Sequence, residues 1–308
     1  MHSTKRHMRK TTQSIALSLF VLFLPFLGLA QKKKVKNPNS LIDIEYARVD
    51  DISLKLDLHL PGRKTEKKPE LVVFFHGGSW RSGSKKTCHV GWLTHHGYAV
   101  ASVNYRLSGQ AKFPALIHDC KGAIRFLRAN AEKYGINARR ICATGASAGG
   151  LLSTLVATSG GVKALEGNVG GNLDQSSRVQ SAIGMFCPTD LYYNATVEKE
   201  RCDQSNSPLY QLLGGKPSER LDLAKLASAT AHVTKDDPPV IVLYGTEDKS
   251  LVKPLHGERL KARYDKAGLE ATYQLIEGAG HGGPQYRDKD RKAIILPMLE
   301  KTLRLPGN

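Results

Sequence analysis

Polar and apolar residues alternate along two stretches near the start of the chain. Ile42, Ile44 and Tyr46 mark the first stretch, and residues 52–60 mark the second, with leucine at every other position from Leu54. Successive side chains of a β-strand point to opposite faces of its sheet, so this period of two predicts strands with one exposed face. We expect the two strands to pair antiparallel at an edge of a sheet.

Six later runs also predict strands, and helical patterns separate several of them. Residues 71–75 are apolar without alternation, as expected for a strand covered on both faces. The predicted strands are residues 71–75, 98–103, 140–144, 181–186, 240–244 and 271–276, and the predicted helices are residues 114–127, 151–157, 254–267 and 289–303. This order predicts an α/β fold, a mostly parallel twisted sheet of about eight strands with helices on both faces.

One long segment interrupts the alternation of strands and helices. Residues 188–237 are polar and are expected to be rich in loops, which makes them candidate walls of a substrate pocket. No internal repeat and no interdomain linker follows residue 40, so residues 41–308 are expected to form one domain. With 308 residues, of which 41% are hydrophobic, the chain can bury a core of the size that such a domain needs.

The first 30 residues follow a different pattern. Four basic residues precede a nearly uncharged apolar run at residues 15–29, and Ala30 follows it with a small side chain. This order is typical of a secretory signal peptide, and the run is short for a membrane span. We therefore expect residues 1–30 to be cleaved and residues 31–40 to be a basic, disordered leader of a protein exported to the periplasm or beyond the cell. An uncleaved anchor is the alternative; no membrane span is expected after cleavage.

The chain is strongly basic, with a formal net charge of +17. Loss of the four basic residues of the predicted signal peptide would leave +13. A charge of this sign attracts anionic polymers and membranes, but scattered basic residues more often form a solvated surface, which is the interpretation that we favour. No nucleic-acid-binding motif accompanies these residues, so nucleic acid is not an expected partner.

The sequence does not determine which cysteines form disulfides. There are five, Cys88, Cys120, Cys142, Cys187 and Cys202, and an odd number leaves at least one thiol unpaired in an exported protein. Cys142 lies in a predicted strand and is expected to be a buried free thiol. Cys187 and Cys202 bracket a loop and are a candidate pair, although their spacing does not fix the geometry that a disulfide needs. No spacing of cysteine or histidine predicts a metal site, and no cofactor is expected.

Small residues surround Ser147 where a predicted strand meets a predicted helix. The sequence there is Gly145-Ala146-Ser147-Ala148-Gly149, followed by Gly150. A strand that turns sharply into a helix strains the central residue and leaves little room for side chains beside it. The pattern predicts a nucleophile elbow with Ser147 at its tip. The alternative is a glycine-rich turn with an incidental serine.

A serine hydroxyl needs a base and a group that orients the base before it can act as a nucleophile. His281 lies in a glycine-rich loop after the strand at residues 271–276 and is the candidate base. Asp248 follows the strand at residues 240–244 and is the candidate acid, with Glu247 as its main competitor. The chain order Ser, Asp, His, with each residue after a strand, supports this choice.

Donors for a negative substrate oxygen are expected from the loop after residues 71–75. That loop is His76-Gly77-Gly78-Ser79-Trp80, and its adjacent glycines allow backbone N–H groups to approach a substrate. The N–H of Ala148, directly after Ser147, is a further candidate donor. His76 is expected to hold this loop by a hydrogen bond and not to act as the base.

The four loops together resemble the α/β-hydrolase superfamily, in particular small secreted bacterial esterases of the feruloyl and acetyl esterase type. The residues that carry the resemblance are His76 to Trp80, Asn104-Tyr105-Arg106-Leu107, Phe113-Pro114, Asp119, Gly145 to Gly150, Asp248 and His281. The resemblance covers roughly residues 41–303 and implies an α/β-hydrolase catalytic domain without a large cap. It implies a catalytic triad of Ser147, Asp248 and His281, and an oxyanion hole formed by Gly78, Ser79 and Ala148, with Gly77 as a substitute for one donor. The related hormone-sensitive-lipase pattern has a third glycine at the position of Ser79, which weakens the fit to that branch.

The predicted reaction is hydrolysis of small-molecule or polysaccharide esters through an acyl-enzyme, without a metal or organic cofactor. An exopeptidase of the prolyl oligopeptidase type is one alternative, but such enzymes normally carry a propeller before the catalytic domain. An arylformamidase-like amidase is a second alternative, and the signal peptide argues against its cytoplasmic role. A catalytically silent binding protein is a third, and the complete set of triad residues argues against it. The acyl group, the alcohol and the oligomeric state stay open.

Overall fold

The computed structural model describes His2 and residues 39–62, 67–250 and 253–304. Apart from His2, the predicted signal peptide lies outside the described residues, as do residues 31–38 of the predicted leader. All described secondary structure belongs to one compact unit, Asn37–Asn308. The first strand already begins at Ser40, so the last residue of the predicted leader is part of the sheet.

Within the described residues, eight strands form one sheet in the order β1-β2-β4-β3-β5-β6-β7-β8. The strands are β1 Ser40–Val49, β2 Ile52–His59, β3 Glu70–Phe75, β4 Ala99–Val103, β5 Asn137–Ala146, β6 Ser181–Met185, β7 Val240–Gly245 and β8 Ala271–Ile276. β2 pairs antiparallel with β1 and β4, and the strands from β4 to β8 pair parallel. The mostly parallel sheet with an antiparallel edge pair is therefore confirmed.

Helices connect these strands. The described α-helices are α1 Ala115–Ala129, α2 Ala131–Tyr134, α3 Ala148–Thr158, α4 Lys163–Glu166, α5 Leu191–Val197, α6 Lys199–Cys202, α7 Pro208–Leu213, α8 Leu221–Leu226, α9 Leu255–Lys266 and α10 Lys289–Leu303. Short 3₁₀ helices cover Gly91–His96, Pro217–Glu219, Ala229–Ala231 and Pro284–Arg287. No helix in the described part of the chain is long and apolar enough to cross a bilayer.

The strand β3 contributes side chains to cores on both faces of the sheet. Leu71, Val73 and Phe75 belong to one buried apolar cluster, and Val72 and Phe74 belong to the other. None of the five is exposed to solvent. Because alternate side chains enter opposite cores, the whole strand has to be apolar, as its sequence predicts.

Residues 188–237, which we call the helical insertion, contain more regular structure than the sequence predicts. Helices α5 to α8 lie in this segment, so the expectation of a loop-rich excursion is wrong. Two of these helices begin at capping side chains: Asp190 accepts a hydrogen bond from the N–H of Tyr193, and Ser207 accepts one from the N–H of Leu209. The side chains of Leu212 and Leu213 are buried, which gives α7 an apolar side despite the polar composition of the segment.

All five cysteines are free thiols, so the candidate pair Cys187 and Cys202 does not form a disulfide. Cys142 is buried in β5, as predicted, and burial raises the pKa of its thiol to about 12. Burial likewise raises the pKa of the Cys187 thiol to about 12. These thiols are therefore protonated at neutral pH and are poor nucleophiles.

Candidate active site

Ser147 lies at the junction of β5 and α3 in a strained conformation. Its φ is 53° and its ψ is −121°, a combination that residues with a side chain rarely adopt. The backbone N–H of Ser147 donates to the carbonyl oxygen of Met185 at 2.9 Å, and its carbonyl accepts from Leu151 at 3.1 Å. The serine therefore occupies the sharp turn between strand and helix that the sequence predicts.

Close backbone contacts explain why the elbow needs glycine. A Cβ atom placed on Gly149 would lie 2.1 Å from the carbonyl oxygen of Phe75, and one placed on Gly145 would lie 2.1 Å from the carbonyl oxygen of Gly149. These neighbours are backbone atoms and cannot rotate away. Any side chain at either position would displace the turn that holds Ser147.

Ser147, His281 and Asp248 form a continuous chain of hydrogen bonds. Nε2 of His281 lies 2.9 Å from Oγ of Ser147, and Nδ1 lies 2.7 Å from Oδ2 of Asp248. When Nδ1–H donates to the carboxylate, Nε2 is free to accept the hydroxyl proton of the serine. Glu247 is exposed, whereas Asp248 is buried. Asp248, and not Glu247, therefore contacts the imidazole of His281.

The surroundings of Asp248 keep its carboxyl group ionised. Burial would raise its pKa, but hydrogen bonds from His281 and Ser250 outweigh burial, and the pKa lies below its ordinary value. The N–H of Ser250 donates to Oδ1 of Asp248 at 3.0 Å, and Oγ of Ser250 lies 3.2 Å from Nδ1 of His281. An ionised carboxylate can stabilise the imidazolium that forms when His281 takes a proton.

Phe186 supports the imidazole from the side, a role that the sequence did not predict. Its ring meets that of His281 edge to face, with 4.8 Å between the centroids, and meets that of Tyr286 at 4.6 Å. Phe186 directly follows β6 and has a φ of 38°. Phe186 follows the strand that lies next to β5 in the sheet, and this position at the carboxyl end of a strand is the one sequence signal that places it near the site.

The loop after β3 presents backbone donors beside the elbow. Gly78, Ser79 and Trp80 all have positive φ, at 118°, 54° and 59°. A Cβ atom on Gly77 would lie 3.3 Å from Cβ of Ser147, so the loop packs directly against the elbow. Within the described residues, the N–H groups of Gly78, Ser79 and Ala148 donate to no protein acceptor. They are available to a substrate oxygen.

His76 holds this loop in place. Its Nδ1–H donates to the carbonyl oxygen of Gly77 at 2.8 Å, and its ring stacks on that of Tyr105 with 4.3 Å between the centroids. The hydroxyl of Tyr105 donates to the carbonyl oxygen of His76 at 2.7 Å. Burial lowers the pKa of His76, which favours a neutral imidazole. These contacts match the structural role that the sequence predicts for His76.

Two clefts meet at Ser147. Ser79, Ser147 and His281 line both of them. The larger cleft has a volume of about 540 Å³. The smaller has a volume of about 380 Å³, and residues 188–209 of the helical insertion form much of its wall, in line with the predicted position of that segment. An ester bound at Ser147 therefore has space on either side of its carbonyl group.

The described residues contain no cluster of three or more histidine, cysteine, aspartate or glutamate side chains that could hold a metal ion.

Known proteins resemble this chain in both sequence and structure. A structure described as a truncated form of a carbohydrate esterase from gut microbiota superposes with a TM-score of 0.77 at 31% identity, over 85% of this chain and 96% of the other. A bifunctional GH43-CE of Bacteroides eggerthii superposes with a TM-score of 0.75 at 34% identity, over 87% of this chain and 36% of the other. Esterase LipC of Mycobacterium tuberculosis is 28% identical over 242 residues, and the alignment covers 76% of this chain and 58% of LipC. The chain thus spans little more than half the length of this curated relative.

The profile of the BD-FAE family matches residues 56–264, which include Ser147 and Asp248 and most of the sheet. The eight-stranded sheet has the architecture of the structurally similar carbohydrate esterase. This chain therefore belongs to the BD-FAE family and has the α/β-hydrolase fold of the esterases that it resembles.

Proposed function

We propose that this protein is a serine esterase that hydrolyses carboxylic esters through an acyl-enzyme on Ser147. The observation that carries the proposal is the chain of hydrogen bonds from Ser147 through His281 to Asp248. His281 takes the hydroxyl proton through Nε2 while Oγ attacks the ester carbonyl, and Asp248 stabilises the resulting imidazolium. The imidazolium then protonates the leaving alcohol, and a water molecule cleaves the acyl-enzyme by the same route.

The negative oxygen that forms during the attack would be bound by backbone N–H groups of Gly78, Ser79 and Ala148. Their lack of acceptors among the described residues supports this role, because donors without an internal partner can bind a substrate oxygen without breaking another hydrogen bond. The donors belong to the backbone, so the serine at position 79 can supply the same group as a glycine.

We further propose that the substrates are acetyl, other short-acyl or feruloyl esters outside the cytoplasm, including esters carried by plant polysaccharides. The signal-peptide pattern of residues 1–30 supports export. The similarity to a protein described as a carbohydrate esterase supports a carbohydrate-linked ester. The two clefts beside Ser147 offer separate space for an acyl group and for a sugar.

A substrate panel tests this proposal on protein that comprises residues 31–308. We expect release of acid from acetylated xylan, from a feruloyl sugar ester or from 4-nitrophenyl acetate, and much slower cleavage of aminoacyl amides. The 4-nitrophenyl esters of longer acids measure the acyl length that the site accepts. Faster cleavage of aminoacyl amides than of every ester would favour a peptidase or amidase instead. Protein recovered outside the cytoplasm should begin at Gln31, whereas an intact N-terminus would contradict the proposed export.

A further inference from the structure

The larger cleft beside Ser147 contains an arginine without a carboxylate partner. Arg287 ends the 3₁₀ helix Pro284–Arg287 and lines this cleft. Its two acidic neighbours along the chain, Asp288 and Asp290, bind Arg291 at 3.0 and 2.9 Å instead. Among the described residues, no carboxylate lies within ion-pair distance of the Arg287 guanidinium. Its charge is therefore available to a ligand.

Several other arginines of the described chain are bound in ion pairs. Arg106 binds Asp119 at 2.7 Å, and Arg259 binds Asp190 at 2.7 Å. Such pairs connect separate parts of the fold. Arg287 is exposed and makes no such ion pair among the described residues.

A second cation lies close to the lining of the same cleft. The ammonium group of Lys292 lies 5.1 Å from the ring centroid of Trp92, which lines the cleft. His89 lines the cleft too, and burial and the nearby charge of Arg287 lower its pKa, which favours a neutral imidazole beside the guanidinium. No aspartate or glutamate is among the described residues that line the cleft. The potential there favours an anion in close proximity to the nucleophile.

The size and surface of the cleft limit which anion would fit. Its volume of about 540 Å³ is more than an acetyl group needs and lies in the range of sites for molecules the size of a sugar. Lys292 lies over one face of the Trp92 ring, and the part of Trp92 that lines the cleft offers an apolar surface for a sugar ring. A guanidinium binds a carboxylate through two parallel hydrogen bonds, which fixes orientation as well as charge.

We propose that the larger cleft binds a uronate, a sugar that carries a carboxylate, with Arg287 on the carboxylate, Trp92 on the ring and the ester directed to Ser147. This inference rests on the proposed esterase function and narrows its substrates to esters of acidic glycans. It assigns the positive charge of Arg287 to a binding site, whereas the sequence alone favours a solvated surface as the explanation of the basic residues.

A matched pair of substrates tests the inference. One is an O-acetylated methyl galactosiduronate with a free carboxylate, and the other is its primary amide, which has the same ester and nearly the same size but no charge. Acetate release gives kcat/KM for each. We expect the carboxylate to be preferred roughly tenfold or more, because a hydrogen bond to a charged group contributes more than a neutral one. Equal values for the two substrates would overturn the inference and leave the proposed esterase function standing.

Two variants separate a bound carboxylate from long-range attraction. Arg287→Gln should lower kcat/KM for the carboxylate about tenfold and for the amide clearly less, since only the first substrate loses a charged partner. Lys289→Gln removes the same charge from an exposed residue that does not line the cleft, and should keep the preference. An equal loss in both variants would overturn the inference, because it would indicate a diffuse field. Failure of wild-type protein to release acetate from both sugars and from 4-nitrophenyl acetate would instead contradict the proposed function.

Discussion

Replacing Ser147 with alanine is expected to lower kcat for 4-nitrophenyl acetate by about 10⁶. The substitution removes the Oγ atom that lies 2.9 Å from Nε2 of His281 and leaves no nucleophile in its place. Some acceleration over water should persist, because the backbone donors of the proposed oxyanion hole are unchanged. The measurement is a steady-state assay on purified protein with circular dichroism as a check of folding.

Ser205→Ala is the matched control for this substitution. Ser205 is an exposed serine in the helical insertion and does not line either cleft. Its variant should have wild-type kcat. If Ser147→Ala retained wild-type activity while folded, Ser147 would not be the nucleophile.

A second large loss of activity is expected when Asp248 is replaced. Asp248→Asn should lower kcat by about 10⁴, because an amide no longer holds Nδ1–H of His281 in the tautomer that leaves Nε2 as an acceptor. Asparagine has nearly the same volume as aspartate, so the loss should appear in kcat and not in folding. The same steady-state assay measures it.

Glu247→Gln is the control that separates the two neighbouring acids. Glu247 is exposed, and its backbone N–H donates to the carbonyl oxygen of Ala279, a bond that glutamine keeps. The activity of the Glu247→Gln variant should therefore stay close to that of the wild type. A large loss in Glu247→Gln together with an active Asp248→Asn would reverse the choice of acid.

The elements that the sequence predicts best are those with strong local patterns. β8 and α10 have the predicted bounds, and β3 differs by one residue. In β3 the apolar residues from Leu71 to Phe75 are all buried, so burial and local preference agree. The helices of the insertion have four to seven residues and the 3₁₀ helix Gly91–His96 has six, so none of them carries a long repeated apolar pattern. Their formation depends on packing against the rest of the domain, which the sequence pattern does not reveal.

The residues of the candidate site likewise divide into those with a local sequence signal and those without one. Ser147, Asp248 and His281 could be selected because each follows a strand, and parallel strands bring their carboxyl ends to one edge of the sheet. Phe186 and Ser250 have no comparable sequence signal, because their roles depend on side-chain contacts with His281 across the fold. Arg287 has no local signal at all, since its lack of a partner is a property of the surrounding structure.

Covalent labelling with diisopropyl fluorophosphate tests the central claim most directly. The reagent transfers its phosphoryl group to an activated serine, and mass spectrometry of the digested protein locates the adduct. We expect a single adduct on Ser147 that forms in parallel with the loss of ester hydrolysis, and no adduct in Ser147→Ala. Complete inactivation with the adduct on another residue, or full activity after complete modification of Ser147, would contradict the assignment of Ser147 as the nucleophile.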